Sequence, residues 1–172
     1  MKAIARVGFA AVTGTLLAAA ASADYNKPLG ASLHAGIFWT SSQTASSFEG
    51  PRWFDLGGDF KLNELNYDAK TGSSGYTTLS LDWYGKGGFS NIPVMYNYVI
   101  RKDQLYYSAG AGIGFSHQSS LTGSTSNTDF DYGFGIGYDF IKDKTPIFAE
   151  LKYFGCSRPQ LSGFALVGGF RF

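Results

Sequence analysis

Along much of the chain, apolar and polar residues alternate one by one. From Phe130 to Phe140 one set of positions reads Phe130, Tyr132, Phe134, Ile136, Tyr138 and Phe140, and the set between them reads Asp131, Gly133, Gly135, Gly137 and Asp139. Leu105 to Phe115 repeats the pattern, with Leu105, Tyr107, Ala109, Ala111, Ile113 and Phe115 against Tyr106, Ser108, Gly110, Gly112 and Gly114. A period of two belongs to a β-strand, whose successive side chains point to opposite faces. Six further segments carry it: Gly30 to Trp39, Arg52 to Leu65, Tyr76 to Tyr84, Ile92 to Arg101, Thr145 to Phe154 and Leu161 to Phe172. The pattern therefore predicts eight strands. Helical periodicity is absent, and each interior glycine would cost a helix about 1 kcal/mol.

The connections alternate in character. Arg101-Lys102-Asp103-Gln104 and Ile141-Lys142-Asp143-Lys144 are short and charged, whereas Thr40 to Pro51 and Gln118 to Thr128 are longer and rich in Ser, Thr and Gly. Outer-membrane barrels show this asymmetry, with short turns in the periplasm and long loops outside the cell. Asn66 to Gly75 is the exception, a long connection on the short-turn side, so the second and third strands are expected to run beyond the bilayer.

The smaller face decides between a soluble ligand-carrying barrel and a membrane barrel. A soluble barrel would clothe its outside in Lys, Glu and Thr, but here the smaller face of the two clearest strands is mostly Gly and Ser with a few Asp. Such residues suit the narrow interior of an eight-stranded barrel. The expected fold is thus an all-β, antiparallel up-and-down transmembrane β-barrel of eight strands. Alternation then sends Asp55, Asp59, Lys61, Asp82, Glu150, Lys152 and Arg171 into the lumen as a charge network that plugs it. Trp39, Trp53 and Trp83 at one end, with Tyr138, Phe140 and Phe170 toward the other, are expected to form aromatic girdles at the two membrane interfaces.

Composition agrees with that reading. Aromatic residues make up 17% of the chain and charged residues only 16%, whereas a soluble domain carries about a quarter charged residues. A formal net charge of +1 with scattered basic residues leaves no footprint for nucleic acid. Cys156 is the single cysteine, so no intrachain disulfide forms. Lys2 and Arg6 precede an apolar stretch from Val7 to Ala20, and Ala21-Ser22-Ala23 follows it. This is the layout of a secretory signal. Residues 1–23 are therefore expected to be removed on export, and 24–172 to form the barrel domain in the bacterial outer membrane.

The segment Phe164-Ala165-Leu166-Val167-Gly168-Gly169-Phe170-Arg171-Phe172 puts Phe164, Leu166, Phe170 and Phe172 on one face. It resembles the terminal signal by which barrel-assembly machinery recognises its clients. With Gly110 to Phe115, Gly135 to Phe140 and Phe148 to Tyr153, it resembles the closing strands of the OmpA/OmpX-like family of small outer-membrane barrels, most clearly from Ile92 onward. The resemblance implies a monomer whose partners are the assembly machinery and outer-membrane lipid with its lipopolysaccharide, and it names no extracellular ligand. The expected role is structural or surface-interacting, in envelope integrity or adhesion through the loops. A narrow solute or ion channel and a lipid A-modifying acyl hydrolase are the alternatives.

The hydrolase alternative rests on His117-Gln118-Ser119, which resembles the His-x-Ser pair of lipid A deacylases and has Asp131 on the next strand. Three features depart from that pattern. The family motif lies in the penultimate strand, where this chain reads Lys152-Tyr153-Phe154-Gly155-Cys156; Ser120 stands where the family has Asn; and Asp131 shares the lumen face while His117 faces out. His34 has no second His or Cys at ligand spacing. The expectation is accordingly a protein that is not an enzyme, with no catalytic residue, no metal and no cofactor.

Overall fold

The computed structural model describes residues 30–68, 73–120, 123–140 and 147–172. The expected signal segment and the Ile141 to Lys144 turn lie outside the described residues. Eight antiparallel strands close on themselves in sequence order: β1 (Ala31–Thr40), β2 (Arg52–Asp68), β3 (Ser73–Lys86), β4 (Phe89–Lys102), β5 (Leu105–Ser120), β6 (Gly123–Asp139), β7 (Ile147–Cys156) and β8 (Gly163–Arg171). Closure comes from β1 pairing with β8, Ser32 opposite Arg171 through Thr40 opposite Gly163. A closed sheet leaves no open edge across the membrane, where an unpaired backbone group would cost several kcal/mol.

The alternation resolves into two faces as expected. Phe54, Phe60, Leu79, Tyr96, Ile113, Phe115, Phe134, Ile136, Leu151 and Leu166 are all large, apolar and exposed, and all lie on the outward parity. An apolar surface of this extent is stable only against lipid, and this chain is a transmembrane barrel. Phe134 lies near the middle of β6 and is 58% exposed. Replacing Phe134 with Arg is expected to lower the unfolding free energy in lipid vesicles by about 2–4 kcal/mol, read from a denaturant titration.

The two ends differ. At the end that carries the start of β1 and the finish of β8, here the terminal end, Lys102 and Leu105 pair across a tight turn whose Asp103 has a positive φ of 55°. On this side β2 and β3 run on to Asp68 and from Ser73, with irregular register between Lys61 and Asn63 and between Glu64 and Asn66. At the opposite, loop end, the expected Thr40 to Pro51 loop holds a helix, α1 (Gln43–Glu49), whose first turn is capped by Ser42 and whose Ala45 is fully buried. The expected Gln118 to Thr128 loop is corrected: most of it is strand. β5 and β6 pair out to Ser120 opposite Gly123, because Ser, Thr and Asn clear of the barrel body keep extended pairing with each other.

Candidate functional site

The lumen is built in two storeys. Near the loop end Phe38, Trp53, Tyr84, Phe89 and Phe154 pack inside the barrel. Phe38 and Tyr84 stack with centroids 4.2 Å apart, and Phe154 leans on Tyr84 at 5.0 Å. The Tyr84 hydroxyl donates to the Leu161 carbonyl (2.9 Å) and accepts from Asn91 Nδ2 (3.0 Å), so its one polar atom is satisfied inside the apolar layer. The placement of Trp53 corrects one expected girdle residue. It shares parity with Asp55, is 2% exposed, and its indole donates to the Gly50 carbonyl inside the loop-end mouth. Trp39 and Trp83 take the outward parity and are half-buried, while Tyr138, Phe140 and Phe170 are exposed toward the terminal end.

Below the aromatic storey lie the charges. Lys152 Nζ stands 2.9 Å from Asp82 Oδ1 and 3.0 Å from His34 Nε2, and His34 Nε2 is 2.8 Å from the same Asp82 oxygen. The register explains the meeting. His34 on β1 pairs with Gly57 on β2, and Gly57 pairs with Asp82 on β3. A Cβ on Gly57 would sit 2.5 Å from Asp82 Oδ1 and 2.7 Å from His34 Nε2, so only a glycine lets the two side chains meet across the middle strand. Asp55, fully buried, lies 3.9 Å from His34 Nε2. Spacing along the sequence could not have shown these neighbours, because each comes from a different strand or from two positions along one.

Nearer the terminal end, Glu150 accepts from Tyr106 and Ser108, both at 3.1 Å. Asp59 accepts from Ser32 (2.7 Å). Arg171 packs over the Phe148 and Tyr106 rings and shares Asp139 with Arg101. Lys61 stands apart from this group, pairing instead with Glu64 on its own strand. A cavity of about 40 Å³ opens among Asp59, Asn97, Tyr106, Glu150, Lys152 and Arg171, room for about three waters.

A second constellation sits on the outside of the barrel at the loop end. His117 and Ser119 continue the outward row of β5 above Ile113 and Phe115, and Ser126 faces His117 from β6. His117 Nδ1 lies 3.0 Å from Ser126 Oγ, and His117 Nε2 lies 3.3 Å from Ser119 Oγ. One tautomer serves both contacts: Nδ1–H donates to Ser126, and the bare Nε2 accepts the Ser119 hydroxyl proton. Ser119 is held at its backbone, where its N–H donates to Gly88 O on the β3–β4 turn (2.8 Å), and Gly88 N–H in turn donates to Glu49 of α1 (3.0 Å). Asp131 takes no part. It is buried in the lumen and accepts from Asn91 (2.6 Å). The orienting partner is therefore a serine where the sequence offered a carboxylate. Register across the hairpin, which the expected loop concealed, is the signal that finds it.

No family model and no curated protein sequence matches the chain. Among solved structures it is similar to the crystal structure of the outer membrane enzyme PagL, at a TM-score of 0.50 and 13% identity over 82% of this chain and 98% of that one. The likeness narrows the expected OmpA/OmpX-like membership to a coarser statement, that the chain has an eight-stranded outer-membrane barrel fold. It also overturns the expectation of a protein that is not an enzyme, since a barrel of this shape is the body of an outer-membrane enzyme. The fold is that of an outer-membrane β-barrel, and in PagL a barrel of this fold is an enzyme.

Proposed function

We propose that the chain is an outer-membrane acyl hydrolase that cleaves ester-linked acyl chains of lipid A-class lipids at the barrel's outward rim. The observation that carries the reading is the His117 imidazole held between two hydroxyls, Ser119 and Ser126, on the exposed end of a row whose lower members face lipid. An acyl chain lying along Ile92, Ile113 and Phe115 would bring its ester up to Ser119. A motif on β5 in place of the penultimate strand keeps this geometry, because every strand of a closed barrel presents an outward rim position. With the loop end outside the cell, the rim meets the outer leaflet.

The chemistry is acyl transfer through a serine. Ser119 Oγ attacks the ester carbonyl as its proton passes to His117 Nε2. The C–O bond to the sugar then breaks, and the leaving alkoxide takes that proton. Water repeats the sequence in reverse on the acyl-serine and releases a free fatty acid. A separation of 3.3 Å between nucleophile and base is long for a hydrogen bond, as is usual before substrate is bound. Ser126 fixes the tautomer but brings no negative charge to the imidazolium that forms.

The test is mass spectrometry of lipid A incubated with the refolded barrel in mixed micelles. The expected result is loss of one acyl chain together with a free fatty acid. Ser119→Ala is expected to slow release by at least about a thousandfold. Ser126→Ala removes one neutral hydrogen bond and is expected to slow it about five- to tenfold. Unchanged lipid A with the folded wild-type protein overturns the reading.

A further inference from the structure

The buried cluster around His34 has polar atoms that no described residue satisfies. Among the described residues, both oxygens of Asp55, Asp82 Oδ2 and His34 Nδ1 are buried without a hydrogen-bond partner. A buried, unpartnered carboxylate is costly enough that native structures rarely keep one without an ion or water beside it. We propose that His34, Asp55 and Asp82 form a divalent transition-metal site at the centre of the lumen, independent of the rim chemistry.

Three features support the assignment. The donor set comes first: one imidazole nitrogen and one oxygen from each carboxylate lie within 4.8 Å of one another. His34 Nε2 is 2.8 Å from Asp82 and 3.9 Å from Asp55. Donors of a tetrahedral zinc ion stand about 3.3 Å apart, so modest side-chain adjustment closes this set around one ion. Imidazole with carboxylates suits Zn²⁺, Co²⁺ and Ni²⁺ better than Mg²⁺ or Ca²⁺.

The outer shell comes second. His34 Nδ1 stands 3.9 Å from Asp59 Oδ2, short of a hydrogen bond but on the side from which one would form, and Asp59 is held by Ser32 (2.7 Å). A carboxylate behind the far ring nitrogen is the usual support of a metal-bound histidine. Third, a cation already occupies part of the place. The Lys152 ammonium serves His34 and Asp82 but makes no hydrogen bond to Asp55. In addition, His34 Nε2 cannot donate to Asp82 and accept from Lys152 at the same time, so the triangle of contacts is over-subscribed. A metal ion relieves both conflicts by accepting lone pairs from all three donors. Lys152 then turns its flexible stem into the adjacent cavity, where Asp59 and Glu150 line the wall. That cavity also gives the ion its approach from the terminal end, since the aromatic storey closes the other side.

The experiment is a Co²⁺ titration of metal-stripped, refolded barrel in detergent micelles, following visible d–d absorption, with folding checked by heat-modifiable migration. One ion per barrel is expected, displaced by Zn²⁺. Asp55→Asn and His34→Gln are each expected to weaken binding at least tenfold. Lys152→Met, which removes the competing ammonium, is expected to strengthen it. Folded wild-type protein that binds no Co²⁺ overturns the proposal. So does binding left unchanged by Asp55→Asn and His34→Gln, which would place the ion elsewhere. Should Lys152→Met fail to fold, the wild-type titration and the other two variants decide alone.

Discussion

Lys152→Met, measured without added metal, is expected to lower the unfolding free energy in lipid vesicles by about 3–5 kcal/mol. The side chain crosses the middle of the lumen and puts its ammonium 2.9 Å from Asp82, whose carboxylate is fully buried. Methionine matches the length of the stem but takes away the one cation hydrogen-bonded to Asp82 among the described residues. Removing one partner of a buried ion pair costs far more than the pair itself contributes, because the remaining charge keeps its desolvation penalty. Lys152→Met combined with Asp82→Asn is therefore expected to recover part of the loss, as it removes the stranded charge. A denaturant titration followed by tryptophan fluorescence reads both variants against the wild type, with Trp53 reporting from inside the barrel. A shift below about 1 kcal/mol for the single variant would mean that the lumen is well hydrated and the ammonium replaceable by water.

Tyr84→Ala is expected to cost a similar amount, about 3–5 kcal/mol, for a different reason. The ring is fully buried, stacks on Phe38 and leans on Phe154, so truncation leaves a cavity between two large rings. Tyr84→Phe keeps the packing and removes only the hydroxyl that joins Asn91 to the Leu161 carbonyl. Its expected cost is about 1–3 kcal/mol, that of unsatisfied buried partners. The difference between the two variants, measured in the same titration, separates packing from hydrogen bonding in the layer that closes the barrel.

The fold was legible because strand alternation and barrel architecture share one period. Phe130 to Phe140 states which residues face lipid and which face inward, and once β6 is placed its neighbours follow by parity. The same parity should have settled Trp53. Two positions before Asp55, it belongs to the lumen, yet the habit of tryptophan at membrane interfaces argued the other way. Position along the strand outweighs residue preference, because a one-residue slip would turn every other side chain of β2 to the wrong face. Strand ends were less legible. Polar residues from Gln118 to Thr128 read as a loop, since pairing between two polar strands leaves no hydrophobic mark.

Both candidate sites depended on what alternation cannot carry, which is register between strands. His34 meets Asp82 only through the vacant side of Gly57, forty-eight positions from one to the other. His117 meets Ser126 only because the hairpin pairs them nine residues apart. The sequence held every residue of both constellations, but which residues touch is set by stagger and closure of the sheet.

The glycine-lined inner face of β5 and β6 bears on how this protein can change over time. A methyl group at Gly114 would lie 1.9 Å from Asp131 Oδ2, at Gly135 2.3 Å from Glu150 Oε1, and at Gly137 2.0 Å from the Tyr106 ring. Those positions are empty so that side chains from neighbouring strands can occupy the space. Their neighbours Phe134, Ile136 and Tyr138 meet only fluid hydrocarbon, which accepts almost any apolar shape. Mutational drift along these strands should therefore run in a comb, free at one residue and arrested at the next. Descendants of this gene would diverge first in the surface they show to lipid, while the inner wall kept its glycines.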